Sequence, residues 1–390
     1  MLGRIRRRFV WLAPEARDEL RRDRGGLPAH DPGPERTLAA ALEWLARAQD
    51  CSTTADGGVA HHYSLLTGWS PSYPETTGYI VPTLLEYGRQ AGHADSADRA
   101  RRMLDWLTRI QLESGAYQGG TVDARPVVPV TFNTGQILIG LAAGAAAFGS
   151  PYEEAMQRAA DWLVATQDDD GCWRRHPTPF AAPGEKAYET HVAWGLIAAA
   201  GVERSRGYGE AAAANIDWAL TQQEANGWFR QCCLTDPRRP LTHTLGYALR
   251  GIIEGYRYAG DDRLLSAARR TADGLLQALQ PGGFLPGRLR ADWSAAVDWS
   301  CLTGSVQIAS CWLLLFHETG DARYRDAAFT VNSFVRRTVR LDAPPDIRGA
   351  VKGSFPVSGE YAAYEYPNWA AKFFVDAMLL EIAVRRPEAM

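Results

Sequence analysis

The sequence predicts an all-α fold, a single (α/α)6 toroid in which six helical hairpins close into a ring. Three observations predict it. A helix-ending phrase recurs six times at near-constant spacing. A second, more apolar helix type alternates with it. The connections alternate between short and long.

The recurring phrase is an amphipathic helix with a large residue, a glutamine five places on, and a glycine turn. It reads "EWLARAQ" at Trp44 and Gln49, "DWLTRIQLESGAY" at Trp106 and Gln111, "DWLVATQDDDGCW" at Trp162 and Gln167, and "DWALTQQEANGWF" at Trp218 and Gln223. Two degenerate copies place Gly274 and Phe334 at the tryptophan position. Successive copies lie 56 to 62 residues apart. These half-buried helices are predicted near 38–49, 96–111, 152–167, 208–223, 263–279 and 323–339. Strings such as "NTGQILIGLAAGAAAFG" and "HTLGYALRGIIEGYRYAG" are apolar on nearly every face, the mark of buried helices. They predict inner helices near 76–89, 133–147, 189–200, 242–258, 301–318 and 367–384. Gly92, Gly149, Gly260 and Gly320 stand where a left-handed residue ends a helix. The last inner helix is as apolar as the middle ones, which favours closure over a capped open solenoid. The ring domain is assigned to 38–390, after an N-terminal arm over 1–37.

The chain has 390 residues, of which 46% are hydrophobic, and a net charge of −3. This balance does not mark a nucleic-acid binder. No run approaches the roughly 20 apolar residues of a membrane span. The basic start lacks the apolar stretch of a secretory signal, so a cytoplasmic location is expected. Six cysteines in such a chain read as free thiols. Oligomeric state stays open.

The phrase "AADWLVATQDDDGCW" resembles the glutamine-tryptophan repeats of terpenoid cyclases and protein prenyltransferases. The six-pair arrangement resembles six-hairpin glycosidases, toroid polysaccharide lyases and N-acyl-glucosamine 2-epimerase. The strings "SYPETTGYIVPTLLEY" and "EYPNWAAKFFVDAMLLE" are similar to a bacterial toroid family associated with polysaccharide gene clusters. The resemblance covers about 38–384 and implies a carbohydrate substrate. The repeat tryptophans and glutamines themselves read as architecture: indoles pack on the inner layer, and amides tie down helix ends.

All long loops lie on one rim, with the N-termini of the six inner helices, so the working site is expected there. Catalytic candidates are Glu75, Glu189, His191, His243, Tyr247 and Asp298. Tyr247 follows His243 by four residues and shares its helix face. Substrate-binding candidates are Tyr79, Asn133, Gln136, Trp173, Arg175, Trp228, Arg288, Trp299, Lys352, Tyr366, Asn368 and Trp369. Loop aromatics can stack on sugar rings, and loop cations with helix starts favour an anion. An acidic, uronate-containing oligo- or polysaccharide is therefore the expected substrate.

Three chemistries stay open. Hydrolysis needs two carboxyls, from Glu75, Glu189 and Asp298, with Glu360 and Glu365 as further choices. Lyase or epimerase chemistry needs bases and acids such as His191, His243 and Tyr247. No cofactor is expected for either. The alternative is a zinc-dependent transferase or cyclase of prenyltransferase or lanthionine-cyclase type, with His243, Asp298 and Cys301 as ligands. A non-catalytic glycan-binding toroid is the remaining reading.

Overall fold

A computed structural model describes residues 12–386. The first described helix, α1 (Pro14–Arg24), precedes the ring. Six outer helices follow as α2 (Pro34–Asp50), α4 (Ala94–Ile110), α6 (Tyr152–Thr166), α8 (Tyr208–Leu220), α10 (Asp262–Ala278) and α12 (Ala322–Arg336). Six inner helices alternate with them as α3 (Pro74–Ala91), α5 (Thr131–Phe148), α7 (Thr190–Val202), α9 (Thr242–Ala259), α11 (Leu302–Thr319) and α13 (Asn368–Arg385). Helix starts agree with the sequence reading to within a few residues.

Each inner helix packs against the next, and α13 packs against α3 to close the circle. Each inner helix from α3 to α11 also packs against the outer helix that follows it. The last, α13, finds its outer partner in α2, at the opposite end of the sequence. Glycines let the inner helices approach: a Cβ on Gly140 would lie 2.1 Å from the Gly78 carbonyl oxygen, and one on Gly251 2.2 Å from that of Thr190. Gly92, Gly260 and Gly320 end their helices in the left-handed conformation. α5 is long and apolar enough to cross a membrane by composition, and here it is largely buried in the ring.

The repeat glutamines act as staples. Gln111 Nε2 donates to Gly115 O in its own turn and to Ala155 O in the next outer helix, both at 2.9 Å. Gln167 repeats this with Gly171 and Ala211. Gln49 joins Gly57 to Arg99, and Gln223 reaches Ala267. These bonds satisfy carbonyls beyond each helix end and fix the spacing of neighbouring hairpins.

The long loops are sewn together on one rim by short strands. β1 (His62–Ser64) pairs antiparallel with both β2 (Gly68–Trp69) and β5 (Glu365–Pro367). β3 (Ser300–Cys301) pairs antiparallel with β4 (Ser354–Phe355). The last loop is thus fastened to the first and the fifth.

The described part of the 1–37 arm is held against this last loop. Lys352 is 2% exposed and lies between Glu19 and Asp23 of α1, at 2.9 Å from Glu19. Asp23 also accepts the Val357 N–H at 2.6 Å. Arg336, equally buried, joins Asp31 (2.6 Å) to Glu381 of α13 (2.8 Å).

Candidate active site

A cavity of about 280 Å³ opens on the loop rim at the ring's axis. Five inner helices or their leads reach it. Tyr73, Glu75, Thr76 and Tyr79 come from the start of α3, and Phe132 from α5. Tyr188 precedes α7, His243, Thr244 and Tyr247 come from α9, and Trp369 from α13. The loops add His61, Thr178, Phe180, Leu234, Tyr361, Ala362 and Glu365. The lining is mostly aromatic, with hydroxyls and two carboxyls among the rings.

Glu75 is the central group. Its only hydrogen bond among the described residues comes from the Tyr73 hydroxyl, at 2.8 Å. Burial outweighs that bond and pushes its pKa up to about 7. It can therefore hold a proton at neutral pH. Glu365, in the same lining, stands on β5 with its side chain 30% exposed, 3.7 Å from His62 Nε2. Burial raises its pKa as well. The loop that delivers it is constrained: Ala362 and Tyr364 adopt left-handed φ values of 48° and 63°, which cost about 1 kcal/mol each.

Two histidine–glutamine pairs flank Tyr247. His243 Nδ1 lies 2.5 Å from Gln307 Oε1, and His191 Nδ1 lies 2.5 Å from Gln136 Oε1. An amide oxygen only accepts, so each Nδ1 carries the proton and each Nε2 keeps a lone pair. Desolvation pulls the His243 pKa down to about 4, so the ring is neutral above that pH. The two imidazoles lie 4.4 and 4.5 Å from the Tyr247 ring, centroid to centroid. Of these two, His243 lines the cavity and His191 does not. The Tyr247 hydroxyl is 3.5 Å from that of Tyr79. His61 packs edge-on to Tyr73 and Trp369, and burial brings its pKa to about 3.

Of the expected site residues, Glu75, Tyr79, His243, Tyr247 and Trp369 meet in this cavity. His191 and Gln136 stand behind it as support for Tyr247. Asn133 is fully buried beside the Tyr73 hydroxyl. Glu189 is buried outside the lining, because a 3-10 turn (Ala187–Glu189) delivers Tyr188 to the cavity in its place. Burial pushes the Glu189 pKa up to about 8.

The other expected residues do different work. Asp298 is exposed on an open recess with Arg239 and Glu360, because loop 280–300 folds back over the rim. Trp299 packs with Leu241 and Cys301. Trp173 donates to Leu163 O, and Trp228 packs on Trp293. Arg175 is exposed and bonds Ala165 and Gln167 carbonyls, while Arg288 bonds Arg239 O. Lys352 is neutralised by the arm. Tyr366 is buried in β5, and Asn368 donates to Ala60 O. Among the described residues, no arginine or lysine lines the cavity.

The zinc set His243, Asp298 and Cys301 is not brought together. Cys301 caps α11 through Gly304 N, and Asp298 lies on the open recess. No three potential ligands converge among the described residues. Sequence reasoning missed His61, Phe132, Thr178, Phe180, Leu234 and Ala362. The loop residues among them carry no helical periodicity, and Phe132 reads as one more core aromatic.

Comparison with known proteins agrees with this architecture. The family model of the squalene-hopene cyclase C-terminal domain matches residues 70–253. No curated protein matches the chain in sequence. Among solved structures, an unsaturated glucuronyl hydrolase specific for heparin superposes with a TM-score of 0.73 at 15% identity, covering 92% of this chain and 100% of that one. The unsaturated glucuronyl hydrolase of Bacillus sp. GL1 gives 0.69 at 16% identity, covering 91% and 98%. A D-mannose isomerase gives 0.70 at 13% identity, covering 92% and 99%. The ring of six hairpins, closed by α13 on α2 and open at one aromatic rim, has the α/α-toroid fold that these hydrolases and the isomerase share.

Proposed function

We propose that this chain is a carbohydrate-active enzyme that hydrolyses a glycosidic bond in the axial cavity, with Glu75 as the proton donor. The observation that carries the reading is Glu75 itself: a buried carboxyl held near pKa 7, facing a cavity walled by aromatic rings. A general acid works best with its pKa near the operating pH. Glu365, in the same lining, would be the second carboxyl that glycoside hydrolysis requires and would activate water. Aromatic faces such as Trp369 suit the apolar faces of sugar rings. Likeness to unsaturated glucuronyl hydrolases supports an acidic, uronate-containing substrate. Among the described residues, its carboxylate would be met by the tyrosine hydroxyls and the positive ends of the inner helices.

A second reading is epimerisation or isomerisation of a sugar. His243 favours it: the bond to Gln307 leaves Nε2 with a free lone pair, ready to take a proton from carbon. Likeness to a D-mannose isomerase points the same way.

One experiment separates them. The purified protein is incubated with acidic and neutral oligosaccharides in H2O and in D2O. New reducing ends that vanish in Glu75→Gln support hydrolysis. Deuterium on a sugar carbon without cleavage supports isomerisation. Turnover of no carbohydrate in either solvent overturns both.

A further inference from the structure

The opposite end of the ring carries a second cavity, of about 380 Å³, that the proposed chemistry does not use. It runs from the middle of the inner helices toward their C-terminal ends, and its lining includes Trp194, Arg250, Leu314, Lys372 and Asp376. We propose that it is a binding site for the oxyanion group, carboxylate or phosphate, of a small molecule with an apolar body.

Two cations face it, the half-buried Arg250 and the buried Lys372. The Arg250 guanidinium lies over the Trp194 ring, 4.2 Å from the centroid. Its Nε donates to Glu254 at 2.7 Å. Stacking and that single bond fix the plane of the fork. Among the described residues, Arg250 makes no further hydrogen bond, and its two Nη groups carry four of its five N–H donors. Lys372 is 2% exposed and uses one donor, to Asp376 Oδ2 at 2.6 Å. The other Asp376 oxygen already accepts from Thr83 at 2.7 Å.

Ion pairing therefore explains the charges but not the unused donors. Planar, preorganised guanidinium donors suit a carboxylate or phosphate bidentately, and an ammonium adds a point charge. The acidic groups at this mouth are engaged: Glu86 by Arg89 and Gln90, Glu254 by Arg250 and Arg257, and Asp376 by Lys372. Helix C-termini disfavour anions, but Arg250 lies nine residues before the end of α9, about 13 Å away at 1.5 Å per residue. Leu314 and Trp194 supply the apolar wall.

The site is one layer of side chains from the upper cavity. The Lys372 ammonium sits 5.1 Å from the centroid of the Tyr79 ring, whose opposite surroundings are the sugar cavity.

The test is titration calorimetry on the full chain with inorganic phosphate and, separately, with benzoate. At least one probe is expected to saturate at one equivalent, and the tighter probe identifies the head group. Arg250→Gln should weaken it at least tenfold; Glu254 keeps Arg257 as partner, so the helix is not left with an isolated charge. The double variant Lys372→Met/Asp376→Leu removes the second pair as a unit and should weaken it as well. Glu75→Gln, in the upper cavity, should leave it unchanged. Absence of saturable binding by both probes overturns the proposal. So does binding that survives both lower-site variants, or that is lost in Glu75→Gln.

Discussion

Glu75 and Glu189 begin as near-equivalents. Each stands one or two residues after a tyrosine and precedes a threonine at the start of an inner helix, in "YPETT" and "YETHV". Both are buried, and burial raises both pKa values, to about 7 and about 8. Yet Glu75 faces the cavity and Glu189 does not. In the first, Tyr73 caps α3, and its hydroxyl turns back onto the carboxyl. In the second, a 3-10 turn puts Tyr188 into the lining and turns the glutamate away. Repeats equalise backbone positions; the turn before each helix decides which side chain meets the axis.

The largest effect expected from this contrast is on turnover. Glu75→Gln should lower kcat/KM by about 10²–10⁴-fold, the usual contribution of a general acid. Glu189→Gln should change it less than about threefold. Equal losses would erase the distinction drawn between the two helices.

The pH profile sharpens it. Glu75 must be protonated, so kcat/KM should fall about tenfold per unit above pH 7. On the isomerase reading, activity should also fall below about pH 4, where His243 takes up a proton. Glu189→Gln should leave the alkaline limb where it is.

Stability provides the reverse control, because here the two carboxyls should behave alike. Each folded pKa lies above the ordinary value of 4.5, so the native state binds more protons than the unfolded one between these limits. Stability then falls as pH rises, from about 4.5 to 7 for Glu75 and to 8 for Glu189. Glutamine at either site should relieve about 3–5 kcal/mol at pH 9 and little at pH 4, by urea denaturation. The smallest effect is expected at Asp298: Asp298→Asn on the exposed recess should alter kcat/KM by less than about twofold.

Sequence patterning revealed the ring because helix periodicity and repeat spacing are local signals. It pointed to Glu75, Tyr79, His243, Tyr247 and Trp369 as rim residues, and they line one cavity, because each stands within a few residues of a helix start. It did not reveal that Lys352 is neutralised by Glu19 and Asp23, more than 300 residues away. The same holds for Asp298, Arg175 and Arg288, whose loops fold across the rim by contacts with no periodicity. Charge that reads as substrate-facing in one dimension is consumed by tertiary ion pairs and carbonyls in three.

The closing contact of the ring carries a consequence for its synthesis. The first outer helix finds its inner partner in α13, at the other end of the ring, and Trp44 Nε1 reaches Asp346 O across 302 residues of chain. Before α13 is made, five hairpins can stack and α2 is held by its bonds to α4, but the wall formed by α13 is missing. The cavity wall is thus completed only once α13 has been made, and long-range closure of this kind is slow. Until then the flank of α2 that packs on α13 lacks its partner.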